Sequence, residues 1–201
     1  MCSSDLLLDT RRGAHAGSGA SSSFEFAVSA AASIGVHLSH EGLEGQLITD
    51  AGGLSAPGIF EDVLLDSLAV IRPSRGHDLS PGLAALRGAS GLIIAVTGRL
   101  SAGAARQLAA SRRDAGPAIA LLLAVSTWSG PGADPRFPGS GPADDAGRAA
   151  GGPGPRETDQ AAAILRAAGW RVACLDVTTP LAVAWQQLGL SPAIPLRGAA
   201  V

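Results

Sequence analysis

The strongest constraint on this chain is a set of short, uninterrupted apolar runs that each stop at a polar residue. Leu92-Ile93-Ile94-Ala95-Val96 ends at Thr97, Leu6-Leu7-Leu8 ends at Asp9, and Pro117 to Val125 is apolar almost throughout. A strand exposed on one face alternates apolar and polar residues, whereas one buried on both faces has no reason to alternate. The runs Glu44 to Thr49 and Gly169 to Leu175 complete a set of five expected strands. Each is separated from the next by at least one stretch with helical spacing.

The helical stretches carry recognisable ends. Phe24 to His40 is expected as a helix that buries Phe24, Val28, Ala31, Ala32 and Val36. Ser22 or Ser23 caps it, Glu25 lies in its positive first turn and Gly42 follows its end. Ile59 to Ile71 repeats Val63, Leu64, Leu68 and Ile71 on one face and closes at Pro73, and Ser80-Pro81 opens a shorter helix to Leu86. Ser101 caps a helix to about Arg113, and Glu157 to Ala168 and Pro180 to Leu188 are the last two. Wholly apolar strands alternating with helices predict an α/β domain of three layers, a mainly parallel sheet covered by helices on both faces in a doubly wound, Rossmann-like topology. Residues 7–128 form its first part and 157–201 the remainder, while 129–156, rich in Gly and Pro and without period, is expected as a flexible loop.

Composition narrows the function classes. A net charge of -2 and a pI near 6.0 supply no basic field for nucleic acid. With no Lys, Asn or Tyr, all 15 basic residues are Arg, the signature of a high-GC genome rather than of phosphate chemistry. Cys2 and Cys174 make no disulfide framework, and Cys174 in mid-strand reads as a reduced core thiol, which favours the cytosol. Residues 1–6 have no signal-peptide pattern. They match the translation of a common sequencing-library adapter read from a GTG start, so they are expected to be foreign to a natural chain that continues upstream.

In a doubly wound sheet, ligands and partners meet the carboxyl ends of the strands. The candidate binding residues are therefore Asp9, Thr10, Arg11, Thr49, Asp50 and Thr97, with Gly98, Ser126-Thr127 and Asp176 at the neighbouring strand ends. No G-x-G-x-x-G or P-loop follows a strand, which argues against dinucleotides and nucleoside triphosphates. His37 and His40 have helical spacing but no third ligand, Gly17-Ser18-Gly19 is not a nucleophile elbow, and Asp144-Asp145 lies in the expected loop. Trp128, Trp170 and Trp185 are expected to pack against the sheet or cover its edges. No catalytic residue is expected.

The segments Leu6-Leu7-Leu8-Asp9-Thr10-Arg11 and Ser23 to Ile34, with Val96-Thr97-Gly98-Arg99-Leu100 and Gly169-Trp170-Arg171-Val172, resemble the carboxyl-terminal part of the bacterial domain of unknown function fifty-eight, a von Willebrand factor A-like domain. The resemblance implies a cytoplasmic domain of a membrane-anchored protein, attached through amino-terminal segments missing here. It also implies a non-enzymatic protein-interaction module whose partner is a MoxR-type AAA+ ATPase. A-like domains often hold Mg²⁺ through D-x-S-x-S after the first strand. Asp9 matches its first position, but Arg11 and Gly13 stand at the serine positions, and a guanidinium opposes a divalent cation, so no cofactor is expected. The alternative is a hydrolase or transferase using carboxylates at the strand ends.

Overall fold

The computed structural model describes residues 3–54, 60–86, 91–112, 116–128 and 155–188. Its centre is one six-stranded sheet of β1 (Ser3–Leu8), β2 (Glu44–Thr49), β3 (Gly52–Leu54), β4 (Leu92–Thr97), β5 (Ala118–Leu123) and β6 (Arg171–Leu175). The strands lie in the order β3-β2-β1-β4-β5-β6. All neighbours are parallel except β2 and β3, which pair antiparallel. The expected three-layer α/β fold is therefore present, and β6 pairing with β5 joins residues 155–188 to the same sheet as the first part of the chain.

The helices are α1 (Ser23–His40), α2 (Phe60–Val70), α3 (Ser80–Leu86), α4 (Ala102–Ser111), α5 (Pro155–Ala167) and α6 (Leu181–Gln187). Two apolar clusters divide them. Leu6, Leu8, Ile94, Val96 and Leu121 face α1, α2 and α6, whereas Leu7, Ile48, Ile93, Ala95 and Leu122 face α3, α4 and α5. Successive strand residues point to opposite faces, so a strand buried on both must be apolar at every position, as the sequence pattern required. Burying one such Leu is worth about 1.5–3 kcal/mol, and Leu6, Leu7 and Leu8 are all fully buried.

Several boundaries and faces differ from the sequence reading for physical reasons. The buried face of α1 is Phe24, Ala27, Ala31, Ile34 and Leu38 rather than one through Val28, Ala32 and Val36, which are only partly covered. Gly35, without a side chain, lets Leu64 of α2 come against the helix. β3 has no apolar alternation and two glycines, so nothing in the local sequence announces it. α5 begins at Pro155, two residues inside the segment read as loop, where a proline suits a first helical turn. The remaining loop residues 129–154, with Asp144-Asp145, and also Cys2 and Arg113, lie outside the described residues. Ser22 caps α1 by accepting from the Glu25 amide at 3.2 Å, and Ser101 does the same for α4 from Ala104 at 3.2 Å. Trp128 packs beside Phe26 with ring centroids 5.5 Å apart, and Trp185 meets the edge of His37. Trp170 is buried and its indole nitrogen has no hydrogen-bond partner among the described residues. No helix among the described residues is long and apolar enough to cross a membrane.

β1 begins at Ser3, three residues before the apolar run, because Ser4 and Asp5 pair with β2 on one side and β4 on the other. This brings Asp5 into the central strand, where it is 5% exposed. Burial raises its pKa, opposed by a hydrogen bond from Gln46 Nε2 at 2.6 Å. An acid whose folded pKa lies above its unfolded value holds its proton more tightly in the native state, so stability falls as pH rises from about 3.8 through the folded value. Asp5→Val is expected to raise the unfolding free energy at neutral pH by roughly 1 kcal/mol and to remove that acid-side dependence, as read from urea titrations across pH.

Candidate functional site

From β1 the chain turns through α1 to β2 on one side, and it comes back to β4 on the other. The reversal of winding therefore falls between the carboxyl ends of β1 and β4, the position where doubly wound sheets open a crevice. Here Asp9 immediately follows β1 with no exposed surface, and its amide donates to the Val96 carbonyl of β4 at 2.9 Å.

Arg11 fills this place. Its Nε donates to Asp9 Oδ1 at 2.9 Å and its Nη2 to Asp9 Oδ2 at 2.8 Å, a two-pronged pair, while its backbone N–H donates to Oδ1 at 3.2 Å. The two side chains are 12% and 0% exposed. Burial works against the charge of Arg11, but the hydrogen bonds and charge of Asp9 outweigh it and raise the Arg11 pKa. The same guanidinium donates to the carbonyls of Arg99 at 3.1 Å and His77 at 3.4 Å. One side chain thereby ties together the loops after β1, before α3 and after β4. A short 3-10 turn, Arg12–Ala14, places the Ala14 carbonyl where it accepts from the Arg99 amide at 2.8 Å. The carbonyl packs directly on Gly98, where a Cβ would collide with it.

The second candidate carboxylate is satisfied as well. Asp50 Oδ1 accepts from the amide of Thr10 at 3.2 Å and, at short range, from its hydroxyl. Asp50 Oδ2 accepts from Ser74 Oγ at 2.6 Å. Ser74 also gives its amide to the Thr10 carbonyl at 2.7 Å and takes the Arg12 amide on its own carbonyl at 2.9 Å. It belongs to the segment 71–79, which passes from α2 on one face of the sheet to α3 on the other, over the ends of β1 and β2. Sequence reasoning missed Ser74 and this strap. Thr49 accepts from the Ala51 amide and supports the β2–β3 turn, and Gly82 packs against the Thr49 carbonyl.

His15 is the other group that sequence reasoning left aside. The carbonyl of Asp9 can only accept, so the ring donates Nε2–H to it at 2.7 Å and accepts the Ser23 hydroxyl on Nδ1 at 3.2 Å. Ser23 Oγ in turn accepts from the Ala16 amide at 2.9 Å. Burial lowers the His15 pKa from 6.5, with hydrogen bonding and charge at Asp9 acting the other way.

The structure thus brings Asp9, Thr10, Arg11, Asp50 and Thr97 to one end of the sheet, but not into a free acid–base pair. Thr97 is fully buried and its Oγ1 has no hydrogen-bond partner among the described residues. Among the described residues no three His, Cys, Asp or Glu side chains converge in a metal-holding group. Asp176 stands apart at the end of β6, its carboxylate held below the usual range by the hydroxyls of Thr178 and Thr179. Cys174 is half-buried rather than fully in the core, and burial pushes its thiol up, the opposite of activation. His40 is largely exposed, 3.7 Å from Glu61. No family model, curated protein or solved structure matches the chain.

Two measurements probe this arrangement. Arg11→Ala leaves a buried carboxylate without its countercharge and is expected to cost about 3 kcal/mol. Asp9→Ala with Arg11→Ala should cost less than the two single losses together, and purely additive losses in denaturant titrations would contradict the pairing. His15, with a folded pKa below its unfolded one, binds fewer protons in the native state, so stability is full above about 6.5 and falls as pH drops below that value. His15→Gln should flatten the decline between neutral pH and pH about 5 relative to the parent chain.

Proposed function

We propose that this chain is a non-enzymatic, A-domain-like interaction module that offers the carboxyl end of its sheet to a protein partner. The observation that carries the reading is the closure of Asp9 by Arg11. In a hydrolase or transferase built at strand ends, one carboxylate must be open to a substrate or a water molecule to move a proton. Here both oxygens of Asp9 are engaged by a guanidinium, and both oxygens of Asp50 by hydroxyls and an amide. Such a network rigidifies the loops around it and fixes the shape they present, which serves recognition.

The same pairing bears on the metal. The second position of the adhesion motif is Arg11, and its charge stands on the carboxylate that would hold a divalent ion. Recognition through this face therefore runs without Mg²⁺ in this reading.

The partner we favour is a MoxR-type AAA+ ATPase, and the resemblance to domain of unknown function fifty-eight, with a membrane anchor ahead of the domain, supports that choice. Work on substrate would belong to the ATPase, and this domain would position it. The test is calorimetric titration of the purified chain with the MoxR-type ATPase of the same genome, beside assays of generic ester and phosphoester turnover. Saturable binding that persists in excess EDTA, with no turnover, is the expected result. Turnover that vanishes in Asp9→Ala while the fold persists by circular dichroism would replace this reading with the hydrolytic one.

A further inference from the structure

The ring of loops around the closed Asp9–Arg11 pair carries charge of mainly one sign on its exposed surface. The carboxylates of Asp9 and Asp50 are buried and satisfied, so neither shows its charge to solvent. Arg12, Arg75 and His77 are exposed and Arg99 is half-buried. Their backbones are gathered at one place, because Arg11 Nη2 and Nη1 touch the carbonyls of Arg99 and His77 and the Arg12 amide meets Ser74, next to Arg75. Among the described residues none of Arg12, Arg75 and Arg99 forms an ion pair with a carboxylate. Among the described residues Arg99 Nε, just past the end of β4, is a buried donor without an acceptor. Within these loops, among the described residues, the exposed carboxylate is Asp78, already engaged in accepting from the Ser80 amide at 2.7 Å.

The geometry points to a docking surface for a short acidic segment of a partner protein, centred on Arg12, Arg75 and Arg99. This rests on the reading of the carboxyl end as a protein-binding face and adds the chemistry of what binds there. A run of Glu or Asp carboxylates offers these guanidinium groups paired oxygens, which their forks favour. The patch is bounded. Glu25 in the first turn of α1 is exposed beside it, and Asp176 follows β6 on the same end of the sheet. Negative charges on the same end of the sheet disfavour an extended polyanion such as a nucleic acid or a wide anionic membrane surface more than a short peptide. The whole chain carries -2, so the attraction is local. It sets orientation and on-rate more than total affinity, and it weakens with salt.

The test uses the full chain and a fluorescein-labelled decaglutamate peptide in an anisotropy titration at low salt, with decaglutamine, phosphatidylserine vesicles and an oligothymidine strand as alternatives. The expected result is saturable decaglutamate binding that weakens roughly tenfold or more in Arg12→Glu/Arg75→Glu. Arg106→Glu, a charge reversal on the exposed side of α4, should leave binding intact, and circular dichroism should show all variants folded. Equal binding of decaglutamine, an equal loss in Arg106→Glu, or vesicles or the strand binding more tightly through the same arginines would each overturn the inference. The MoxR-type ATPase separates it from the broader reading. If the ATPase binds the double reversal as well as the parent, the acidic-segment inference fails and the interaction module stands. If decaglutamate binds in an arginine-dependent way and the ATPase does not, the patch stands and that choice of partner falls.

Discussion

A carboxylate with no exposed surface, placed at the end of the central strand of a sheet, sets the terms for everything around it. Left alone, a buried charge costs several kcal/mol, so Asp9 demands a cation and hydrogen-bond donors within reach. The chain supplies both from two residues away. Arg11 reaches back across two residues, its backbone N–H also donating to Asp9 Oδ1, and the 3-10 turn Arg12–Ala14 follows at once. The Ala14 carbonyl then needs a neighbour without a side chain, which is Gly98, and the guanidinium has donors left over for Arg99 and His77. Loop positions far apart in sequence follow from one pairing.

The sequence announced the architecture because burial on two faces leaves a signature at every residue of a strand. β2, α3 and the cap of α4 were legible to the residue and the cap of α1 to one of two serines, since a polar stop, a proline in a first turn or a serine with a free amide to accept from is a local matter. β3 was not legible, because its pairing with β2 comes from a tight turn and not from side chains. The rotation of α1 was not legible either. Whether Ala27 or Val28 faces the core is set by packing against elements distant in sequence, Leu64 of α2 against Gly35 among them.

The candidate site divides in the same way. Topology alone places Asp9, Thr10, Arg11, Asp50 and Thr97 at one end of the sheet, and a guanidinium two residues from an aspartate could be weighed as its partner from sequence. Ser74 carries no such signal. It matters because a strap crosses the strand ends and delivers its hydroxyl to Asp50, a tertiary fact with no local pattern. His15 likewise becomes informative only when the Asp9 carbonyl and the Ser23 hydroxyl flank its ring.

The sheet order has a further consequence for how the chain is made. β1 leaves the ribosome before the other strands of the sheet, yet one of its two partners, β4, follows 88 positions later, as Ser4 pairs with Leu92 and Arg11 with Arg99. At about 5–20 residues per second that wait lasts roughly 4–18 s. During it β1 can hold β2, but its other edge, with Leu6, Leu7 and Leu8 and an aspartate not yet enclosed, is open to any strand nearby. Closing so distant a contact is also the slow, entropically expensive step of refolding. The nascent chain is thus most vulnerable to mispairing at the strand that later becomes its best protected.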